Sequence, residues 1–147
     1  KIYTEHDVYF MGRGVDYATA LEASLKLKEI SYIHSDAYAA GELKHGPIAL
    51  IEKGVTVIGI ITDDELGEKS MNNMLEVITR GAKTFIITNN ILKRNNFNYV
   101  LNIPATNNML SPILSIIPLQ LLSYYVAKYK GLDVDKPRNL AKSVTVE

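Results

Sequence analysis

The sequence predicts an α/β fold: a three-layer αβα sandwich built on a mostly parallel sheet, with an extended C-terminal tail. Three observations carry that expectation. Short apolar runs rich in β-branched residues alternate with longer stretches of helical spacing. The run from Val55 to Ile61 is rich in β-branched residues and does not alternate, as in a strand covered on both faces. At 147 residues the chain fits one domain with room for a substantial core. Successive parallel strands need right-handed crossovers, which place helices on the sheet faces.

In chain order, Asp7 to Met11 reads as a buried strand, and Gly12-Arg13-Gly14 as the tight turn that ends it. From Val15 to about Ile33 the spacing is helical, with no proline or glycine to interrupt it. After the strand at Val55 to Ile61, Asp63 or Asp64 can cap a helix from about Glu65 to Arg80, and Gly81 ends it. Thr84 to Thr88 and Tyr99 to Ile103 are further short strands. Met109 to Tyr129 is a long apolar helix, with Pro112 near its start and a kink expected at Pro118. Ligands of such folds sit beyond the carboxyl ends of the strands, so the loops after Met11, Ile61, Thr88 and Ile103 are the ones to watch.

Sixteen basic residues balance sixteen acidic ones, so nothing favours nucleic acid or an anionic membrane. There is no cysteine, which excludes a disulfide framework, a thiolate metal site and a cysteine nucleophile. No apolar run reaches membrane-spanning length and no signal peptide opens the chain, so a soluble cytoplasmic protein is expected. The two histidines at 34 and 45 have no metal-ligand spacing with other candidates, and no metal is expected. The chain opens on Lys1 rather than methionine, as a piece of a longer protein would.

Three places carry possible chemistry. On the first helix, Glu22, Lys26 and Glu29 fall within an arc of roughly 60°. That arc lies between an apolar band of Ala20, Ala23, Leu27 and Ile30 and another of Leu21 and Leu25, with Ser24, Lys28 and Ser31 on the expected solvent side. The stripe reads either as a surface ladder of ion pairs or as a carboxylate beside an ammonium in a partly dry cleft, suited to moving a proton at carbon. The segment from His34 to Pro47 is dense in small and polar groups and reads as a loop; its His45 is structural or catalytic. The last eleven residues, Pro137 to Glu147, set Lys142 among apolar and small neighbours. That is either an ordinary tail strand or a lysine whose lowered pKa makes it a nucleophile toward a carbonyl.

Four stretches match one family: ALEASLKLKEISYIH (Ala20 to His34), AYAAGELKHGP (Ala37 to Pro47), PLQLL (Pro118 to Leu122), and Asp133 through Glu147. The chain resembles the C-terminal sugar-isomerase (SIS) domain of the glucosamine-6-phosphate synthases, the isomerising glutamine–fructose-6-phosphate aminotransferases. The resemblance covers essentially the whole chain. It implies that residues 1–147 form a single SIS-type domain, with residues 131–147 as a C-terminal active-site tail. It also implies a glutaminase domain and a first sugar-isomerase domain preceding it in the same polypeptide.

The implied activity converts fructose 6-phosphate and glutamine-derived ammonia to glucosamine 6-phosphate, the first step of hexosamine biosynthesis, with no cofactor. By that resemblance Lys142 forms a Schiff base with the open-chain ketose, and Glu29 moves the proton between C1 and C2. His45 opens the sugar ring, reaching in from the neighbouring subunit of a homodimer. Lys26 supports the charge of Glu29 and the enolamine, while Glu22 and Arg138 contact the substrate or back the pocket. An iminium at C2 acidifies the C1 proton far more than a carbonyl does, so the residues and the implied roles agree.

SIS domains that hold a phosphate carry a serine- and threonine-rich loop at a helix N-terminus. Here the loop reads Thr62-Asp63-Asp64-Glu65, whose carboxylates repel a phosphate, so the preceding domain is expected to hold it. The acidic loop also disfavours the alternative, a non-catalytic sugar-phosphate-binding SIS domain of a regulator.

Overall fold

The computed structural model describes residues 2–90 and 96–140. Its strands are β1 (Asp7–Gly12), β2 (His34–Ala39), β3 (Thr56–Ile61), β4 (Lys83–Thr88) and β5 (Tyr99–Asn102). Its helices are α1 (Val15–Ser31), α2 (Gly67–Ile78) and α3 (Ser111–Tyr129). The strands form one sheet in the order β2-β1-β3-β4-β5, and every neighbouring pair is parallel. β3 is buried at all six positions, as its non-alternating β-branched run predicts.

α1 and α3 cover one face, where Ala20, Ala23, Leu27, Leu119 and Val126 meet Phe10, Ile58 and Ile60. α2 and the 3-10 helix Ala40–His45 cover the other, where Met74, Val77 and Leu43 meet Met11, Val57 and Ile61. The three-layer sandwich read from the sequence is therefore the observed architecture. Gly12 is required at the end of β1, because a Cβ there would lie 2.4 Å from the backbone oxygen of Asp16. Gly81, at φ +86°, ends the α2 segment as expected. α3 runs on as a helix through Pro118.

Two expectations are corrected. The His34–Pro47 segment is not all loop: its first six residues add β2 to the sheet edge, in register with β1 from Asp7↔His34 to Gly12↔Ala39. Its alternation is masked by serine and alanine, small residues with no strong strand signal. The face of α1 assigned to solvent is in part buried, because β2 lies there. Ser24 Oγ donates to Ser35 O at 2.9 Å and Ser35 Oγ returns a bond to Ser24 O at 2.8 Å. Ser31 Oγ donates to Leu27 O. Conversely, Leu21 and Leu25 are exposed rather than forming a second apolar band in the core.

Candidate active site on the last turns of the first helix

Helical geometry places residues three and four apart as neighbours, and α1 uses this to gather three charges. Lys26 Nζ lies 2.6 Å from Glu29 Oε2 and 3.7 Å from Glu22 Oε1. The two pairs of this stripe differ in closeness. Glu22–Lys26 is a loose surface pair, whereas Lys26–Glu29 is a tight, partly sheltered one, with the Glu29 side chain 26% exposed. The Lys26 ammonium is held above its usual range, chiefly by the hydrogen bond it donates to Glu29, with partial burial pulling the other way. Glu29 thus has a permanently cationic neighbour.

Arg138, in the described part of the C-terminal segment, returns to this end of α1. Tyr32 caps the helix in the left-handed conformation, at φ 60°, with its N–H on Lys28 O. Its phenolic oxygen accepts the backbone N–H of Arg138 at 2.8 Å. The Arg138 guanidinium lies 4.0 Å above the Tyr32 ring centroid, within cation–π range. Lys142 lies outside the described residues. It follows Arg138 by four positions, at most about 14 Å of chain.

His45 is not brought to this pair. β2 leads into the 3-10 helix Ala40–His45 on the opposite face of the sheet, where the adjacent Lys44 pairs with Glu76 of α2 at 2.9 Å. Gly46, at φ +147°, follows directly in a conformation that favours glycine. His45 is exposed on that face. Within one chain the sheet separates His45 from Lys26 and Glu29, which pack with α1 on the other side. The candidate residues therefore do not gather at the carboxyl-end loops singled out from the fold rule: Lys26, Glu29 and the Arg138 contact lie at the end of α1 that leads into the start of β2. Among the described residues no three His, Cys, Asp or Glu side chains converge to hold a metal ion.

Comparison with known proteins follows the same lines. The family model for the SIS domain matches residues 1–128. The chain belongs to the SIS domain family. This SIS domain is 61% identical to a glutamine–fructose-6-phosphate aminotransferase (isomerizing) from Clostridium perfringens, over 100% of the chain and 25% of that protein. It is 60% identical to the protein of the same name from Clostridium tetani, over 100% of the chain and 24% of that protein. Among solved structures it resembles the C-terminal domain of glucosamine-fructose-6-phosphate aminotransferase from Francisella tularensis. That match has a TM-score of 0.86 and 42% identity, over 92% of this chain and 39% of that one. The chain thus spans about a quarter of the curated relatives it matches.

At the carboxyl ends of the strands, this SIS domain holds a polar knot that sequence reasoning missed. Asp16 is 1% exposed. One of its carboxylate oxygens accepts the backbone N–H of Thr62 at 2.7 Å and of Asp63 at 3.2 Å; the other accepts the Thr62 hydroxyl. Thr62 Oγ1 also lies 3.0 Å from Ser111 Oγ at the start of α3. Asp63 in turn accepts the N–H groups of Glu65 and Leu66, both at 2.9 Å. Burial raises the Asp16 pKa, while the bonds from Thr62 and Asp63 oppose the rise. In the sequence, Asp16 is only an acid in the first turn of a helix, which the helix dipole explains without any partner. Arg13, in the turn after β1, donates two bonds to Asn73 Oδ1, at 3.0 and 3.2 Å, and packs against Gly41.

Proposed function

We propose that this SIS domain is the catalytic half of a sugar isomerase–aminotransferase site, converting fructose 6-phosphate and ammonia to glucosamine 6-phosphate within a longer polypeptide. The observation that carries this reading is the sheltered Lys26–Glu29 pair with the tail docked beside it through Arg138. Lys142 attacks C2 of the open-chain ketose and water leaves, giving an iminium. Ammonia then displaces the lysine amine. Glu29 takes a proton from C1 and returns it to C2, and the O1 proton ends on the nitrogen. The ketose imine and the product aminoaldehyde are isomers, so the step needs no oxidant or reductant. Lys26 stabilises the Glu29 carboxylate and the negative charge that develops on the enolamine.

His45 serves as the group that opens the sugar ring, supplied by the second subunit of a homodimer. Its place behind the sheet supports that division, since it cannot meet Glu29 of its own chain. Glu22 and Arg138 support the pocket, Glu22 through Lys26 and Arg138 through Tyr32. A preceding sugar-isomerase domain holds the sugar phosphate and a glutaminase domain supplies ammonia. The internal pairing of the Thr62, Asp63, Glu65 and Leu66 N–H groups supports the first assignment, because an arriving phosphate finds those donors taken. The enzyme works in the cytoplasm, where charged sugar phosphates that cannot cross a bilayer are retained.

Borohydride reduction in the presence of fructose 6-phosphate tests the reading in the full-length enzyme. The reduced sugar adduct is expected on Lys142 and absent in Lys142→Arg. An adduct that persists in Lys142→Arg means that another amine reacts.

A further inference from the structure

We propose that Tyr32 is a positioning residue: its contact with Arg138 is the latch that docks the C-terminal tail beside the Lys26–Glu29 pair. The inference rests on the reading of Lys142 as the Schiff-base lysine, and it adds what aims that lysine.

Three observations point the same way. First, Tyr32 carries two separate contacts to one tail residue. Its hydroxyl oxygen accepts the Arg138 N–H at 2.8 Å, and its ring lies 4.0 Å beneath the Arg138 guanidinium. The first contact fixes the backbone at Arg138 and the second fixes its side chain, so that residue is held in both position and orientation. Second, Tyr32 adopts φ 60°, where a β-carbon is disfavoured and glycine is the usual choice for ending a helix. Strain kept at a helix end where glycine would relieve it marks a side chain retained for its contacts. Third, Tyr32 is three residues beyond Glu29, so whatever holds it sits one helical turn from the proposed base. The four residues from Arg138 to Lys142 are then a short tether of at most about 14 Å.

The latch also accounts for Pro137, which sets φ just before the docked residue and removes a competing N–H donor. Docking the tail raises the local concentration of the lysine amine at the sugar carbonyl.

The test uses the full-length enzyme and three proteins: unmutated, Tyr32→Gly and Tyr32→Phe. Glycine removes the latch while relieving the backbone at φ 60°, so folding is not the variable; phenylalanine keeps the ring and loses the acceptor. For Tyr32→Gly the expectation is a fall of at least about tenfold in kcat and in the rate of borohydride-trapped adduct on Lys142. The melting temperature should equal or exceed that of the unmutated enzyme. Tyr32→Phe should lie between the two. Unchanged kcat and unchanged trapping in Tyr32→Gly overturn the latch, as does a fall in kcat with trapping unaltered. A loss that follows a lowered melting temperature in Tyr32→Gly and is absent from Tyr32→Phe overturns it too. If the unmutated enzyme gives no adduct on Lys142, the Schiff-base reading itself fails, and the latch with it; the control separates the two failures.

Discussion

Asp16 shows how one buried side chain can tie several elements together at the carboxyl ends of the strands. Its carboxylate gathers donors from Thr62 and Asp63 and so joins the start of α1 to the end of β3, with Ser111 of α3 adjoining through Thr62. Burial raises its pKa, so folding favours the protonated form. An unfolded aspartate titrates near about 3.9. The stability that this group contributes is therefore fully present below that pH and declines as pH rises toward and through the folded value. Asp16→Asn cannot titrate. Urea unfolding of the 147-residue chain should show the variant gaining on the parent between pH 4 and pH 7. The difference between the two proteins cancels the other carboxylates, and a pH-independent difference would mean that Asp16 ionises normally when buried. Lys26 shows the opposite balance: its hydrogen bond to Glu29 outweighs partial burial and keeps it charged.

Among the elements, the decisive contacts are close approaches that small residues permit. The β1–α1 turn passes so near the helix backbone that a Cβ on Gly12 would meet Asp16 O at 2.4 Å, Asp16 C at 2.5 Å and Tyr17 N at 2.8 Å. These are backbone atoms and cannot rotate away. Gly12→Ala should cost on the order of 3 kcal/mol in urea unfolding of the chain, and a loss under about 1 kcal/mol would mean that the turn can widen. The serines of α1 illustrate the same economy of space, since Ser24 and Ser35 exchange hydrogen bonds where a larger residue would push β2 off the sheet. α1, α2, α3, β1, β3, β4 and β5 were legible, because each is either a long uninterrupted stretch of helical spacing or a short apolar run bounded by a turn signal. β2 was not legible, because His-Ser-Asp-Ala-Tyr-Ala carries neither an apolar run nor β-branched residues. It is a strand only because the β1 edge is open to receive it.

At the scale of the molecule, the sheet divides the candidate residues: Lys26, Glu29 and the Arg138 contact on the α1 side, His45 on the α2 side. If the second subunit supplies His45, each active site mixes two chains. Full-length Glu29→Gln and His45→Ala should each be inactive alone. Mixed and allowed to exchange subunits, they should recover up to about a quarter of normal turnover, because half the dimers then hold one intact site of two. No recovery in demonstrated heterodimers would place His45 and Glu29 in the service of one chain. The amino-acid sequence by itself determined the α/β class and most of the elements, and it nominated the candidate side chains. Those follow from local rules: the periods of strand and helix, the backbone demands of glycine and proline, and the chemistry of a lysine and a carboxylate one helical turn apart. Tertiary structure alone decided which of those side chains meet. The Tyr32–Arg138 contact joins residues 106 positions apart, and the Asp16–Thr62 bonds join residues 46 positions apart. Partners at such separations are chosen by the path of the chain through three layers, and no spacing along the sequence encodes that path.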